Sequence, residues 1–216
     1  MSESRWRDAD AKSIKEAAKD ADINLDFIEE GYTKEDQKRL IRKLIKKKVD
    51  IIAFSPFVKS GFDDVLLEAK DAGILVILCD RSVDSDESLW TCNIGSDFVE
   101  EGRRAARLLL EHFKEKEVNI FEIKGNIGSA PEIEREAGFN EVIKEHHNYK
   151  IVAEGTGNFN FDEGKKVMTN FLNHKNKKIN MVFAHNDDMA LGAIKEAGFI
   201  PGKDIIVIGI DATKQA

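Results

Sequence analysis

Six stretches of the 216-residue sequence place polar or aromatic groups where an apolar run stops or a helix starts. Val76, Ile77, Leu78 and Cys79 end in Asp80 and Arg81. The run 181–184 ends in His185, Asn186 and Asp187, and the run 205–210 ends in Asp211. After 118–123 comes the loop KGNIGSAPEIER, with Arg135 on the helix that follows. Glu154 and GTGNFN, carrying Phe159, follow 149–153, and the first helix opens with Trp6 and Arg7. Carboxylate, guanidinium and carboxamide groups beside flat rings suit a polyhydroxylated ligand. A hydroxyl both donates and accepts, so Asp and Arg can bond it from two sides, while apolar C–H faces stack on aromatic rings. Each residue also has a plain structural use. Asp80 and Arg81 can form a local salt bridge. Asn186 can cap a helix, Asp211 can shape a turn, Trp6 can pack and Phe159 can anchor a loop. Their shared position at strand ends is what favours a ligand.

The elements that must position these groups alternate. Strand-like runs cover 23–28, 50–54, 74–79, 90–94, 118–123, 149–153, 181–184 and 205–210. Several, such as DIIAF and IIVIGI, are continuously apolar, as strands buried on both faces are. Helical stripes lie between them: Leu40, Ile41, Leu44 and Ile45; Phe62, Val65, Leu66 and Ala69; Val99, Ala106, Leu109, Leu110 and Phe113. Thr33, with Asp36 three residues on, and Ser60, with Asp63, are expected N-caps. Pro131 suits a first helical position, ahead of Ile133, Ala137 and Val142. Val167, Met168, Phe171 and Leu172 mark the next helix, and Gly198 closes the one that begins near Asp187. Strand and helix in alternation predict an α/β fold of parallel sheets with right-handed crossovers. Seven helices are many for one open sheet, so two doubly wound parallel-sheet lobes are expected, residues 1–95 and 96–216, with 89–97 crossing between them. In such sheets ligands bind beyond the carboxyl ends of the strands.

Composition narrows the function. With 42% hydrophobic and 34% charged residues the chain is of globular type. A net charge of −7 argues against a nucleic-acid face. No apolar run reaches the length of a membrane span, and MSESRWRDADAK is not a signal peptide. Cys79 and Cys92 are expected as buried free thiols. The sequence contains no G-x-x-x-x-G-K-[ST], no G-x-G-x-x-G and no G-x-S-x-G. GNIGS reads as a flexible loop, His146 and His147 as surface, and RKLIKKK as the solvated side of a helix with its basic end at the C-terminus. No catalytic residue, metal or cofactor is expected, and the chain is not read as an enzyme.

VILCDRSVD, GNIGSAPEIEREAGF, GNFNFDEGKKVM, FAHNDDMALGAI and VIGIDAT, in that order, resemble the ribose-binding-protein-like periplasmic sugar-binding proteins of ABC importers, the galactofuranose-binding members most of all. SESRWRDADAKSIKEAA resembles the first helix of those members. The resemblance implies two lobes of the type I periplasmic binding protein fold, joined by hinge strands, that close on a monosaccharide: a pentose or hexose, with a furanose form favoured. Carried over by position, Trp6, Arg7, Asp80 and Arg81 would come from the first lobe, and Arg135, Phe159, Asn186 and Asp211 from the second. The aspartates and Asn would take hydroxyls, the arginines would donate to ring or hydroxyl oxygens, and the rings would sandwich the sugar. The implied partner is an ABC permease or a sensor membrane protein, the implied location periplasmic or extracytoplasmic, and the complete protein a monomer that binds no nucleic acid.

The sequence departs from that family pattern at both ends. It opens directly in the first helix, without the family's apolar first strand, and it stops at TKQA after the GIDAT turn. The first lobe is therefore expected to be incomplete and the chain truncated: a fragment, a degenerate reading frame, or a chain completed by a partner. The alternative function is the ligand-binding core of a LacI-type transcription regulator, against which the absence of a helix-turn-helix and the acidic charge both count.

Overall fold

The computed structural model describes residues 4–29, 33–114, 116–173, 178–198, 201–202 and 205–216. The chain divides into two compact units, a larger one of Met1–Phe27, Val99–Ile127 and Glu134–Ala216, and a smaller one of Ile28–Phe98 and Gly128–Ile133. The elements run α1 (Arg5–Asp20), α2 (Lys34–Lys47), β1 (Ile51–Phe54), α3 (Asp63–Asp71), β2 (Leu75–Cys79), a 3₁₀ turn (Glu87–Leu89), β3 (Cys92–Ile94), α4 (Phe98–Phe113), β4 (Val118–Lys124), α5 (Ala130–Ile143), β5 (Tyr149–Thr156), α6 (Phe161–Asn173), β6 (Met181–Ala184), α7 (Asp187–Ala197) and β7 (Ile206–Ile208). Every named strand pairing is parallel.

The smaller unit carries the sheet β1-β2-β3. Ile52, Val76 and Leu78 point to one face and pack on Val65, Leu66 and Ala69 of α3 and Ile41 of α2. Thr33 caps α2 as expected, its hydroxyl accepting from Asp36 N at 3.1 Å and donating to the Asp36 carboxylate at 2.8 Å. Ser60 does not cap α3. The N-cap position is held by Phe62, which makes no side-chain cap bond and is fully buried, its ring 5.5 Å from that of Phe54. The expectation of two-sided burial also fails for β1 and β2, whose residues alternate. Ile51 and Leu75, partners in register, are 50% and 52% exposed, because among the described residues nothing in this unit covers that face.

The larger unit carries the sheet β5-β4-β6-β7. Here two-sided burial holds for the inner strands β4 and β6, while the edge strands β5 and β7 are only partly buried, so the expectation for IIVIGI is not met. Ile120, Met181 and Phe183 pack with Leu109 of α4 and Phe139 of α5 on one side. Phe121, Val182 and Ala184 pack with Met168 of α6 and Met189 of α7 on the other. Phe139 and Phe183 stack at 4.1 Å. Gly102 lets α4 and α5 touch, since a Cβ there would collide with the Arg135 carbonyl oxygen. Pro131 is the second residue of α5, one later than expected, and Gly198, at φ +64°, ends α7.

Two further expectations change. Residues 23–28 are not a strand. Ile23 N donates to Ala18 O at 2.8 Å, closing α1, and no neighbouring strand meets the segment among the described residues, so Ile23 stays 60% exposed. Residues 1–27 then group with the larger unit rather than with the first lobe. Arg5 explains this locally: its backbone N donates to the Asp188 carboxylate at 2.8 Å, and its guanidinium lies 5.7 Å from the Phe161 ring. The smaller unit runs to Phe98 and also takes in Gly128–Ile133.

Candidate functional site

Each of the four strands in the larger sheet is followed by one expected site residue: Arg135 after β4, Phe159 after β5, Asn186 after β6 and Asp211 after β7. The structure brings these four together. Arg135 is only 6% exposed. Its Nη1 donates to His185 O at 2.6 Å, its Nε to Glu101 at 2.9 Å and its Nη2 to Asp211 at 3.5 Å. The guanidinium carbon lies 5.9 Å from the Phe159 ring centroid. Asn186 donates from Nδ2 to Phe159 O at 3.0 Å and accepts on Oδ1 from Met189 N, so it also caps α7. The structural use of Asn186 and its place in the cluster therefore coexist.

The backbone of the cluster is bent where these side chains project. Phe159 has φ +57° and Asp211 φ +112°, left-handed conformations that cost a non-glycine residue about 1–3 kcal/mol. Gly125 makes the seat for Phe159, because any Cβ at 125 would strike the ring. Asp187 accepts from Thr213 N at 2.7 Å, and its own N donates to Ile210 O at 2.8 Å, so the β7 loop that carries Asp211 is tied to the start of α7.

Trp6 and Arg7 lie in the first turn of α1, whose start is tied to Asp188 through Arg5. The Arg7 guanidinium lies 5.1 Å from the Trp6 ring and 3.7 Å from Asp10. In the smaller unit, Asp80 has φ +64° just beyond β2, and its N donates to Ile94 O at 2.7 Å. Arg81 is 5% exposed, with its Nε 3.8 Å from the Asp80 carboxylate. The local pair expected at this strand tip is present. Cys79 and Cys92 are not joined in a disulfide and are half-buried rather than fully buried.

One buried pair was not singled out from the sequence. Glu122 of β4 and His185, just past β6, are both fully buried, with His185 Nε2 3.0 Å from Glu122 Oε1. Burial pushes the Glu122 carboxyl up to about 8, helped by Glu136 and opposed by Lys124. Burial pushes the His185 imidazole down to about 3, with the Arg135 charge acting the same way. The available signal was a charged residue inside the apolar strand VNIFEIK. Glu122, Glu136 and Glu154 approach within 4.8 Å of one another. The Lys124 ammonium bonds Glu136 at 2.7 Å and Glu154 at 3.0 Å. Burial acts to lower the Lys124 pKa, but these two carboxylates outweigh it and raise it. An open depression lined by Ala137, Asn140, Lys144, Tyr149 and Ile151 lies apart from the cluster and gathers none of its residues.

Known proteins resemble the chain over nearly its whole length. The family model described as "Periplasmic binding protein domain" matches residues 1–216. The galactofuranose-binding protein YtfQ of Escherichia coli (strain K12) is 40% identical over 216 residues, which are 97% of this chain and 68% of that protein. A crystal structure from Mycobacterium smegmatis in complex with β-D-fucofuranose superposes with a TM-score of 0.93 at 46% identity, over 98% of this chain and 71% of that one. The periplasmic binding protein component of the arabinose ABC transporter from Shewanella sp. ANA-3, bound to α- and β-L-arabinofuranose, superposes with a TM-score of 0.92 at 41% identity, over 98% and 71%. A match that runs the whole length of the chain, on parallel sheets that carry their polar side chains at the strand tips, places this protein in the periplasmic binding protein family.

Proposed function

We propose that this chain is the solute-binding component of a sugar importer or sensor and that it captures a monosaccharide in a furanose form. The observation that carries the reading is the convergence of Arg135, Phe159, Asn186 and Asp211 from the carboxyl ends of all four strands of one sheet. In the proposed roles Asp211 and Asn186 take hydroxyls, Arg135 donates to a ring or hydroxyl oxygen, and Phe159 stacks on the C–H face. The reading extends to Trp6 and Arg7 of the larger unit and to Asp80 and Arg81 of the smaller one. The furanose form is favoured because relatives at 40–46% identity are named for galactofuranose or were crystallised with fucofuranose or arabinofuranose. Binding requires no bond to be made or broken, so no catalytic residue is assigned. The proposed partner is an ABC permease or a sensor membrane protein, and the proposed setting is periplasmic or extracytoplasmic. Calorimetric titration with L-arabinose, D-galactose, D-fucose, D-ribose and myo-inositol tests the reading. Saturable binding of at least one furanose-forming sugar is expected, and heats of dilution alone for the whole panel would exclude it.

A further inference from the structure

The Glu122–His185 pair sits directly behind the proposed sugar contacts. His185 N donates to Ile123 O at 2.9 Å, so the peptide after β6 is held to β4 by both backbone and side chain. The carbonyl of His185 receives Arg135 Nη1, and the next side chain is Asn186. Whatever fixes His185 therefore fixes two of the four converging residues. The pair is also left with open valences that a purely structural contact would avoid. Glu122 Oε2 and His185 Nδ1 are buried and have no hydrogen-bond partner among the described residues. Two apolar side chains in this space would escape that penalty, which is about 1–3 kcal/mol per unpaired group.

We propose that Glu122 and His185 are a positioning pair that shares one proton between Oε1 and Nε2, and that this proton orients Arg135 and Asn186 for the sugar. The inference rests on the binding function proposed above. With the proton present the pair is neutral whichever atom holds it. Without it the pair carries one negative charge, buried at 0% exposure for both residues. The groups that face the pair are Arg135 and Glu136 on α5, Lys124 on β4, Glu154 on β5 and, through Arg135, Glu101 on α4. The positive member bonded to the same peptide is Arg135. A new negative charge beside it competes with Asp211 and with the ligand oxygens for the guanidinium. Burial favours the neutral state until the pH rises through about 8.

The test uses the full chain with ¹⁵N-labelled histidine and ¹³C-carboxyl-labelled glutamate, titrated from pH 5 to 10, with sugar affinity measured calorimetrically over the same range. One coupled transition of the two groups is expected above neutral pH. Affinity of the parent chain should weaken about fivefold to tenfold through that transition. E122Q keeps a hydrogen bond to Nε2 and removes the proton, so its affinity should be flat with pH. H185A should weaken binding and H185Q restore most of it. Independent titration of His185 near its ordinary value, or an unchanged pH profile in E122Q, would overturn the proposal. Should E122Q fail to fold, the two labelled resonances of the parent chain decide. Failure of every sugar in the panel to bind the parent would instead overturn the proposed function, and the positioning role with it, even with a coupled transition present.

Discussion

Asn186 shows how one side chain serves fold and site together. Its Oδ1 caps α7 while its Nδ2 holds the Phe159 carbonyl, so Asn186→Ala should cost about 1–2 kcal/mol of stability, read from urea unfolding, besides weakening sugar binding. Loss of affinity with no loss of stability would contradict the capping role. Asp80 belongs to the proposed contacts from the smaller unit. Asp80→Ala removes a hydroxyl acceptor and the charge 3.8 Å from Arg81, a guanidinium only 5% exposed, so binding should fall below detection by calorimetry. Unchanged affinity would remove Asp80 from the site. At this scale much was legible in the sequence. Polar and aromatic residues that follow apolar runs stand out, and four of them do converge in one unit. The Glu122–His185 pair was harder to see, because a glutamate in a strand and a histidine past another become partners only once β4 and β6 are neighbours, and their register is set by packing.

The strands illustrate the limit of reading burial from composition. VNIFEIK and MVFA are covered on both faces, whereas IIAF and LVILC are covered on one. Apolar content alone does not distinguish these cases; a layer of helices on each side does. Leu75→Lys, on the open face, should change stability by no more than about 0.5 kcal/mol. Leu78→Ala, fully buried in the same strand, should cost about 2–5 kcal/mol. Chemical denaturation of both variants checks the pair, and equal losses would mean the outer face is covered after all. The segment 23–28 teaches the same lesson: β-branched and apolar residues make a strand only where a neighbour accepts their hydrogen bonds, and here none does among the described residues. Caps were legible where the side chain had no competing use, as at Thr33, and misread at Ser60, where a buried phenylalanine sets the helix start.

For the whole molecule, the buried pair shapes stability against pH. Glu122 binds its proton up to about 8 in the folded chain, against 4.5 in its ordinary state, so between those values folding is accompanied by proton uptake and stability falls as pH rises. His185 is lowered from 6.5 to about 3, so between those values only the unfolded chain takes up the proton and stability climbs with pH. The two slopes cancel between 4.5 and 6.5, which leaves a climb from 3 to 4.5, a plateau, and a decline from 6.5 to 8. Thermal melts across that range should follow this shape, with the decline absent in Glu122→Gln; a decline that persists in the variant would assign it to other groups. The family and its parallel α/β architecture were readable from ordered motifs. The grouping of α1 was not, because it depends on an Arg5–Asp188 contact between residues 183 positions apart.

The most direct measurement is calorimetric titration of a furanose-forming sugar into the parent chain and into Arg135→Ala, side by side, with folding of both checked by circular dichroism. Arg135 joins the strand tips through His185, Asp211 and the Phe159 ring, and hydrogen bonds to charged groups are worth about 1.5–3 kcal/mol each. The expected result is saturable binding by the parent and affinity at least about a hundredfold weaker in the folded variant. Equal affinity in the two proteins, or none in the parent, would contradict a sugar held at these strand tips.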